Sequence, residues 1–237
     1  MTAPTRELQL LGTFVALADS LVDDFDVVDL LQRLVDDCIS LFDAVAAGIL
    51  LLGPSDELEV LVSTSERSEL VELMQLRVGA GPCVEAATTG EVVAVDDVDE
   101  IADRWPAFAA DARASGFSSI HAIPLRLRDS TLGSLNLLRD EPGALNAADA
   151  AAARALADIA TISILQQRLV EESELAQAQL QRALDSRVVI EQAKGYLAQR
   201  QNIDMDEAFA RIRSHARSTQ TRIGLIAADI VDGRLLL

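Results

Sequence analysis

The chain has 237 residues, 50% of them hydrophobic and only 3% aromatic, and its 20 basic and 38 acidic residues give a net charge of −18. That length suits one large domain or a medium domain with a small one, and the apolar content is enough for a core. So negative a chain repels phosphate, and so few rings cannot make a surface that stacks bases, so any nucleic-acid contact must come from a local basic patch.

Two cysteines, Cys38 and Cys83, are too few for a disulfide framework or a zinc site. The longest apolar run, 45–53, is far short of a membrane span. Leu8 to Ala18 has the look of a short secretory core. Against this, Glu7 follows Arg6 at once, and Leu8, Leu11, Val15, Ala18 and Val22 recur at helical spacing. An amphipathic helix is expected there, in a reduced cytoplasmic protein with no membrane association.

A broad apolar stripe from Val27 to Phe42 predicts a helix with Asp26 as its N-cap. Val45–Leu52 and Leu58–Ser63 read as strands of a hairpin, joined by Gly53-Pro54-Ser55-Asp56. A short helix follows over 66–75, then the turn-rich loop Val78–Cys83, one or two helical turns over Val84–Thr89, and a short strand Val92–Val95. The acidic run Asp96 to Asp103 reads as a solvated loop. Pro106–Ser115 is helical, with Gly116 as its stop. Ser119–Leu127 and Leu132–Leu138 are strands around the turn Arg128–Thr131. The order implies an α+β sandwich, a mostly antiparallel sheet with flanking helices.

Asn146 caps a long helical stretch reaching about Ser186. Ile162, Leu165, Leu169, Ala176, Leu180 and Ala183 follow three- and four-residue spacings that predict a dimeric coiled coil, interrupted at Glu171-Glu172-Ser173-Glu174. Charge marks a boundary near residue 186: residues 1–186 hold 12 basic and 32 acidic side chains, net −20, and residues 187–237 hold 8 and 6, net +2. The last segment reads as three short helices. Ile190, Ala193 and Leu197 face inward on the first. Asp204 caps the second, with Met205, Ala208, Phe209, Ile212 and Ala216 inward. Thr221 caps the third, with Ile223, Ile226, Ala227 and Ile230 inward.

Arg187, Ile190, Glu191, Ala193-Lys194-Gly195, Leu197, Asp206-Glu207-Ala208-Phe209, Ile212-Arg213, Ile226-Ala227 and Ile230-Val231 stand at a spacing that resembles the ANTAR domain, the three-helix RNA-binding module of antitermination regulators. Gly224-Leu225 departs from that family, which more often carries charged residues there. Gly79-Ala80-Gly81-Pro82-Cys83, Ile120 to Leu127 and Leu132-Gly133-Ser134-Leu135-Asn136-Leu137 resemble the GAF domain, a small-molecule sensory module. Together they are similar to the GAF–ANTAR regulators of actinobacteria. The resemblance divides the chain into a GAF-like domain with its N-terminal helix (1–165), a helical connector (166–186) and an ANTAR-like RNA-binding domain (187–237). It implies a signal-responsive homodimer that binds paired hexaloop hairpins in nascent transcripts and favours antitermination.

Candidate RNA contacts are Arg187, Lys194, Arg213, Arg217 and Arg222, with Lys194 the one lysine of the chain. Arg200 and Arg211 read as surface charges, and Gly195 as a place of close helix or RNA approach. Cys83 and His121 are ligand-pocket candidates, expected with loop 78–83 around a cavity on the outer face of the sheet. The effector stays unassigned, a single histidine weighs against haem, and no catalytic or metal-binding set is apparent. Two other readings stand beside the regulator: a thiol enzyme like the GAF-type methionine sulfoxide reductases, using Cys83, and a protein-interaction adaptor that binds no RNA.

Overall fold

The computed structural model describes residues 5–19, 26–53, 55 and 57–237, except for the side chain of Ala183. Val22, Pro54, Asp56 and that side chain, all used in the reading above, lie outside the described residues. The described chain divides into two compact units, 1–168 and 169–237.

Five strands form one antiparallel sheet in the order β2-β1-β5-β4-β3, with β1 at Ala46–Leu52, β2 at Leu58–Ser63, β3 at Val93–Val95, β4 at Ser119–Leu127 and β5 at Ser130–Arg139. β1 is a near-continuous apolar run, and both it and the Leu132–Leu138 part of β5 are covered on both faces. Helices α1 (Arg6–Asp19), α2 (Val27–Leu41) and the first part of α6 (Ala147–Gln201) share one core with the sheet, built on Leu31, Val35, Ile49, Ile123, Leu135 and Leu156. Helices α3 (Glu66–Val78), α4 (Pro82–Thr89) and α5 (Pro106–Ala114) border the second core, built on Ala46, Leu50, Ile120, Phe117 and Leu138.

Local chemistry sets the helix ends. Asp26 accepts from the Val28 N–H at 2.8 Å and Ser65 from the Ser68 N–H at 3.2 Å, each supplying an acceptor for an orphan donor of the first turn. Asn146 does the same for the Asp149 N–H at 2.9 Å. On α1 the apolar spacing selects the outward face: Leu8, Leu11 and Val15 are exposed, while Leu10, Phe14 and Leu17 pack inward. The helix carries apolar residues on two faces, so spacing alone does not say which one is buried.

The helix opened by Asn146 does not stop near 186. It runs unbroken to Gln201, so the first helix of the C-terminal module is the end of α6. Ser186 and Arg187 contain neither Gly nor Pro, and a change in net charge does not end a helix. In the second unit α7 (Met205–Ser218) and α8 (Ile223–Val231) close a core of Ala193, Leu197, Ala208, Ile212, Ala216, Ile226, Ala227 and Ile230. Asp204 caps α7 through the Glu207 N–H at 2.7 Å. The N-cap of α8 is Arg222, not Thr221, and it makes no side-chain cap hydrogen bond. Gly224 is the contact point of this unit: a Cβ there would stand 2.6 Å from the Ser186 hydroxyl. A side chain at that position requires the Ser186 hydroxyl to move aside.

Candidate functional site

On the α3–α4 side of the sheet a polar cluster is sealed inside the apolar core. Glu72 of α3 and Asn136 of β5 are both fully buried, and the Asn136 amide donates to Glu72 Oε1 at 2.8 Å. Glu72 Oε2 and Asn136 Oδ1 have no hydrogen-bond partner among the described residues. The carboxyl lies against Gly48 of β1, where a Cβ would come within 2.5 Å of it. Burial is the main cause that pushes the Glu72 carboxyl up to about 8, opposed by the Asn136 bond and aided by nearby Glu69. The proton held at neutral pH spares the core a buried charge.

Gln75, one turn further along α3, clamps the start of α4. Its Oε1 accepts from the Cys83 N–H at 3.0 Å and its Nε2 lies 3.1 Å from Cys83 Sγ. Gly81 has a φ of 151°, and a Cβ there would meet Gln75 Oε1 at 2.2 Å. The glycine-rich loop is therefore built around a buried glutamine. Cys83 is buried, and burial followed by the Glu72 charge pushes its thiol up, away from the thiolate that nucleophilic chemistry needs. Cys38 lies in the core on the other face of the sheet, so neither cysteine can resolve a bond made by the other.

Above this cluster opens a cavity of about 720 Å³. Leu52, Leu58, Leu76, Val84 and Ala87 give it apolar walls, and Glu57, Thr88, Asp129 and Thr131 line it with polar groups. Gly79, from the glycine-rich loop, borders it, but Cys83 does not. His121 faces the opposite side of the sheet, beside a separate cavity of about 120 Å³. Its Nε2 accepts from the Leu145 N–H at 3.0 Å, and burial is the first cause that lowers its pKa. The loop and the histidine do not share a cavity, because residues alternate across a strand and His121 has the parity of Ile123, which packs on the α2 side.

In the second unit Lys194 and Arg213 converge on one ring. Lys194 Nζ stands 5.4 Å from the Phe209 centroid and the Arg213 guanidinium 5.8 Å from it. Lys194 also pairs with Glu191 at 2.9 Å, and its side chain is only 16% exposed, so its stem is packing as well as charge. Arg187 lies two turns earlier on the same helix and is exposed, as are Arg213 and Arg217, one turn apart on α7. Arg222 and Arg187 flank the Gly224–Ser186 contact. Arg200 bonds the Tyr196 hydroxyl at 2.6 Å and Arg211 pairs with Glu207, so both are already engaged. Nothing lies within 4 Å of a Cβ built on Gly195, so no contact within the described chain accounts for that glycine.

Residues 26–164, more than half of the chain, match the GAF domain family. The chain belongs to that family. Residues 178–231 match the ANTAR domain. The chain thus joins a sensory domain to an ANTAR domain, the architecture of a regulator. No curated protein matches the sequence. Among solved structures, the GAF domain of an Acinetobacter phosphoenolpyruvate-protein phosphotransferase is 15% identical with a TM-score of 0.52, covering 71% of this chain and 98% of that one. The free methionine-R-sulfoxide reductase of Neisseria meningitidis is 18% identical with a TM-score of 0.54, covering 72% and 96%. The phycoerythrobilin-bound GAF domain of a cyanobacterial phytochrome is 14% identical with a TM-score of 0.54, covering 72% and 100%. These likenesses establish the GAF fold. They do not bring the reductase chemistry with them, since Cys83 is sealed behind Gln75. Among the described residues no helix is long and apolar enough to cross a membrane.

Sequence reasoning missed Phe209 as the ring that gathers two cations, and the Glu72–Asn136 pair altogether. The only signal for the pair is a glutamate beside Val71 and Leu73 on α3 and an asparagine between Leu135 and Leu137 of β5.

Proposed function

We propose that this protein is a cytoplasmic, signal-responsive RNA-binding regulator that promotes transcription antitermination by holding a hairpin in a nascent transcript. The observation that carries the reading is the meeting of Lys194 and Arg213 over Phe209, in the one segment whose net charge is positive. Arg187, Arg217 and Arg222 extend this cationic surface, which offers phosphate contacts and planar guanidinium groups for unstacked loop bases. The GAF domain supplies the signal by binding a small molecule in the large cavity. Binding shifts the regulator only if one arrangement of the protein binds that ligand more tightly than another.

The net charge of +2 over residues 187–237 limits the electrostatic part of RNA binding. Each phosphate neutralised on a single strand contributes a log–log salt slope of about −0.7, so three cations should give about −2 from one copy and about −4 from two. Filter binding of a hexaloop hairpin between low and physiological salt measures that slope. A slope near zero, or no hairpin binding at any salt, contradicts the reading and favours the adaptor.

The proposal includes a homodimer through the end of α6. Leu169, Leu175, Leu180, Leu184 and Val188 are all exposed along this helix, and a small three-helix core is marginal alone. Sedimentation at micromolar concentration should give twice the chain mass of 25.4 kDa. A strict monomer, with and without RNA, removes the dimer from the mechanism.

A further inference from the structure

The large cavity of the GAF domain has a one-sided polar chemistry. Its apolar walls come from β1, β2, α3 and α4, through Leu52, Leu58, Leu76 and Val84. Its polar groups are the Glu57 and Asp129 carboxylates and two threonines, and no lysine, arginine or histidine lines it among the described residues. The Thr88 hydroxyl already donates to the Val84 carbonyl at 2.9 Å, or alternatively to that of Glu85 at 3.1 Å, so towards the cavity it offers lone pairs. Two cations stand next to lining residues but are engaged: Arg168 donates to the Leu52 carbonyl at 2.7 Å, and Arg126 sits beside Thr131 near Gly90 but is turned elsewhere. Its Nε donates to the Arg128 carbonyl at 2.7 Å, and its Nη1 to the Gly90 carbonyl at 3.2 Å and to Glu91. Three of the four polar side chains are thus acceptors, two of them charged, in a domain whose overall charge is strongly negative.

Resting on the sensor reading above, we propose that this cavity takes an amphipathic organic cation, an aliphatic or aryl primary ammonium compound, and rejects carboxylates and phosphates. The apolar part lies against the leucines and valine, where burial drives association. The ammonium donates its N–H bonds to Glu57 and Asp129. An anion there meets two carboxylates and no cationic lining side chain, in a field that repels it on approach. Both carboxylates are exposed, so they select among ligands more than they bind by themselves.

Three probes with one apolar chain isolate the head group: octylammonium, octanol and octanoate, titrated into the full-length protein by calorimetry at neutral pH and low salt. Octylammonium should bind about five- to tenfold tighter than octanol, from two exposed ion pairs. Octanoate should bind weaker than octanol. Added salt should erase most of the difference. In the Glu57→Gln/Asp129→Asn double variant the three affinities should converge while octanol binding is unchanged. Octanoate binding as well as octylammonium overturns the ligand class but leaves the cavity as a sensor site. Absence of binding by all three overturns the class and the sensor cavity together. Retained ammonium preference in the double variant moves the selecting groups elsewhere and also overturns the assignment.

Discussion

Glu72→Gln should stabilise the protein, and the gain should grow with pH. Burial raises the folded-state carboxyl from its ordinary 4.5 to about 8. Between those values the folded chain holds a proton that the unfolded chain has released. Stability therefore falls as pH rises through this window, by about 1.4 kcal/mol per unit, and is unaffected by Glu72 below it. At pH 7 the accumulated cost is about 3 kcal/mol, a large share of a typical domain stability. Glutamine keeps an oxygen to accept the Asn136 amide and brings an N–H donor that suits the unpartnered Asn136 Oδ1. Urea unfolding followed by the fluorescence of Trp105, the single tryptophan and part of the same core, reports on this domain. The variant and the parent should have similar midpoints near pH 4.5 and diverge steadily to pH 8. Parallel pH profiles would mean that Glu72 is charged in the folded state.

Gly133→Ala should cost about 3 kcal/mol or more, at the upper end of overpacking penalties. Gly133 sits in β5 between β1 and β4, paired with Leu51 and Leu125. A Cβ there would stand 1.9 Å from the Leu50 carbonyl oxygen, a backbone atom of a central strand that cannot swing aside as a side chain can. The sheet must open locally and lose ladder hydrogen bonds to admit one methyl group. The thermal unfolding midpoint of the GAF core should drop by several degrees. An unchanged midpoint would show that the strand pair relaxes without cost.

Much of this fold is legible in the sequence because its signals are local. Asp26, Asn146 and Asp204 cap the helices they precede, and the alternation of apolar strands with turns yields the antiparallel order. What the sequence hides is non-local. Leu8, Leu11 and Val15 have helical spacing, but only packing decides that Leu10, Phe14 and Leu17 turn inward. The continuity of α6 through residue 186 depends on the absence of a break, which a change of charge obscures. His121 and the glycine-rich loop look like partners in sequence, yet strand parity and the placement of α4 set them on opposite faces of the sheet. Of the candidate RNA contacts, Lys194 and Arg213 are brought together by Phe209, a ring that its spacing marks as a core position.

That cluster is where the proposed function is most exposed to test. Lys194→Met keeps the stem that packs beside Phe209 and removes the charge, and Arg187→Ala and Arg213→Ala remove exposed charges without emptying the core. The direct measurement is the affinity of the full-length protein and this triple variant for a paired hexaloop hairpin, against the same stem with a scrambled loop. The parent should prefer the hexaloop hairpin, and the triple variant should lose at least tenfold in affinity and most of its salt dependence while retaining its helical circular dichroism. Equal affinity of parent and folded variant would contradict RNA recognition by this surface.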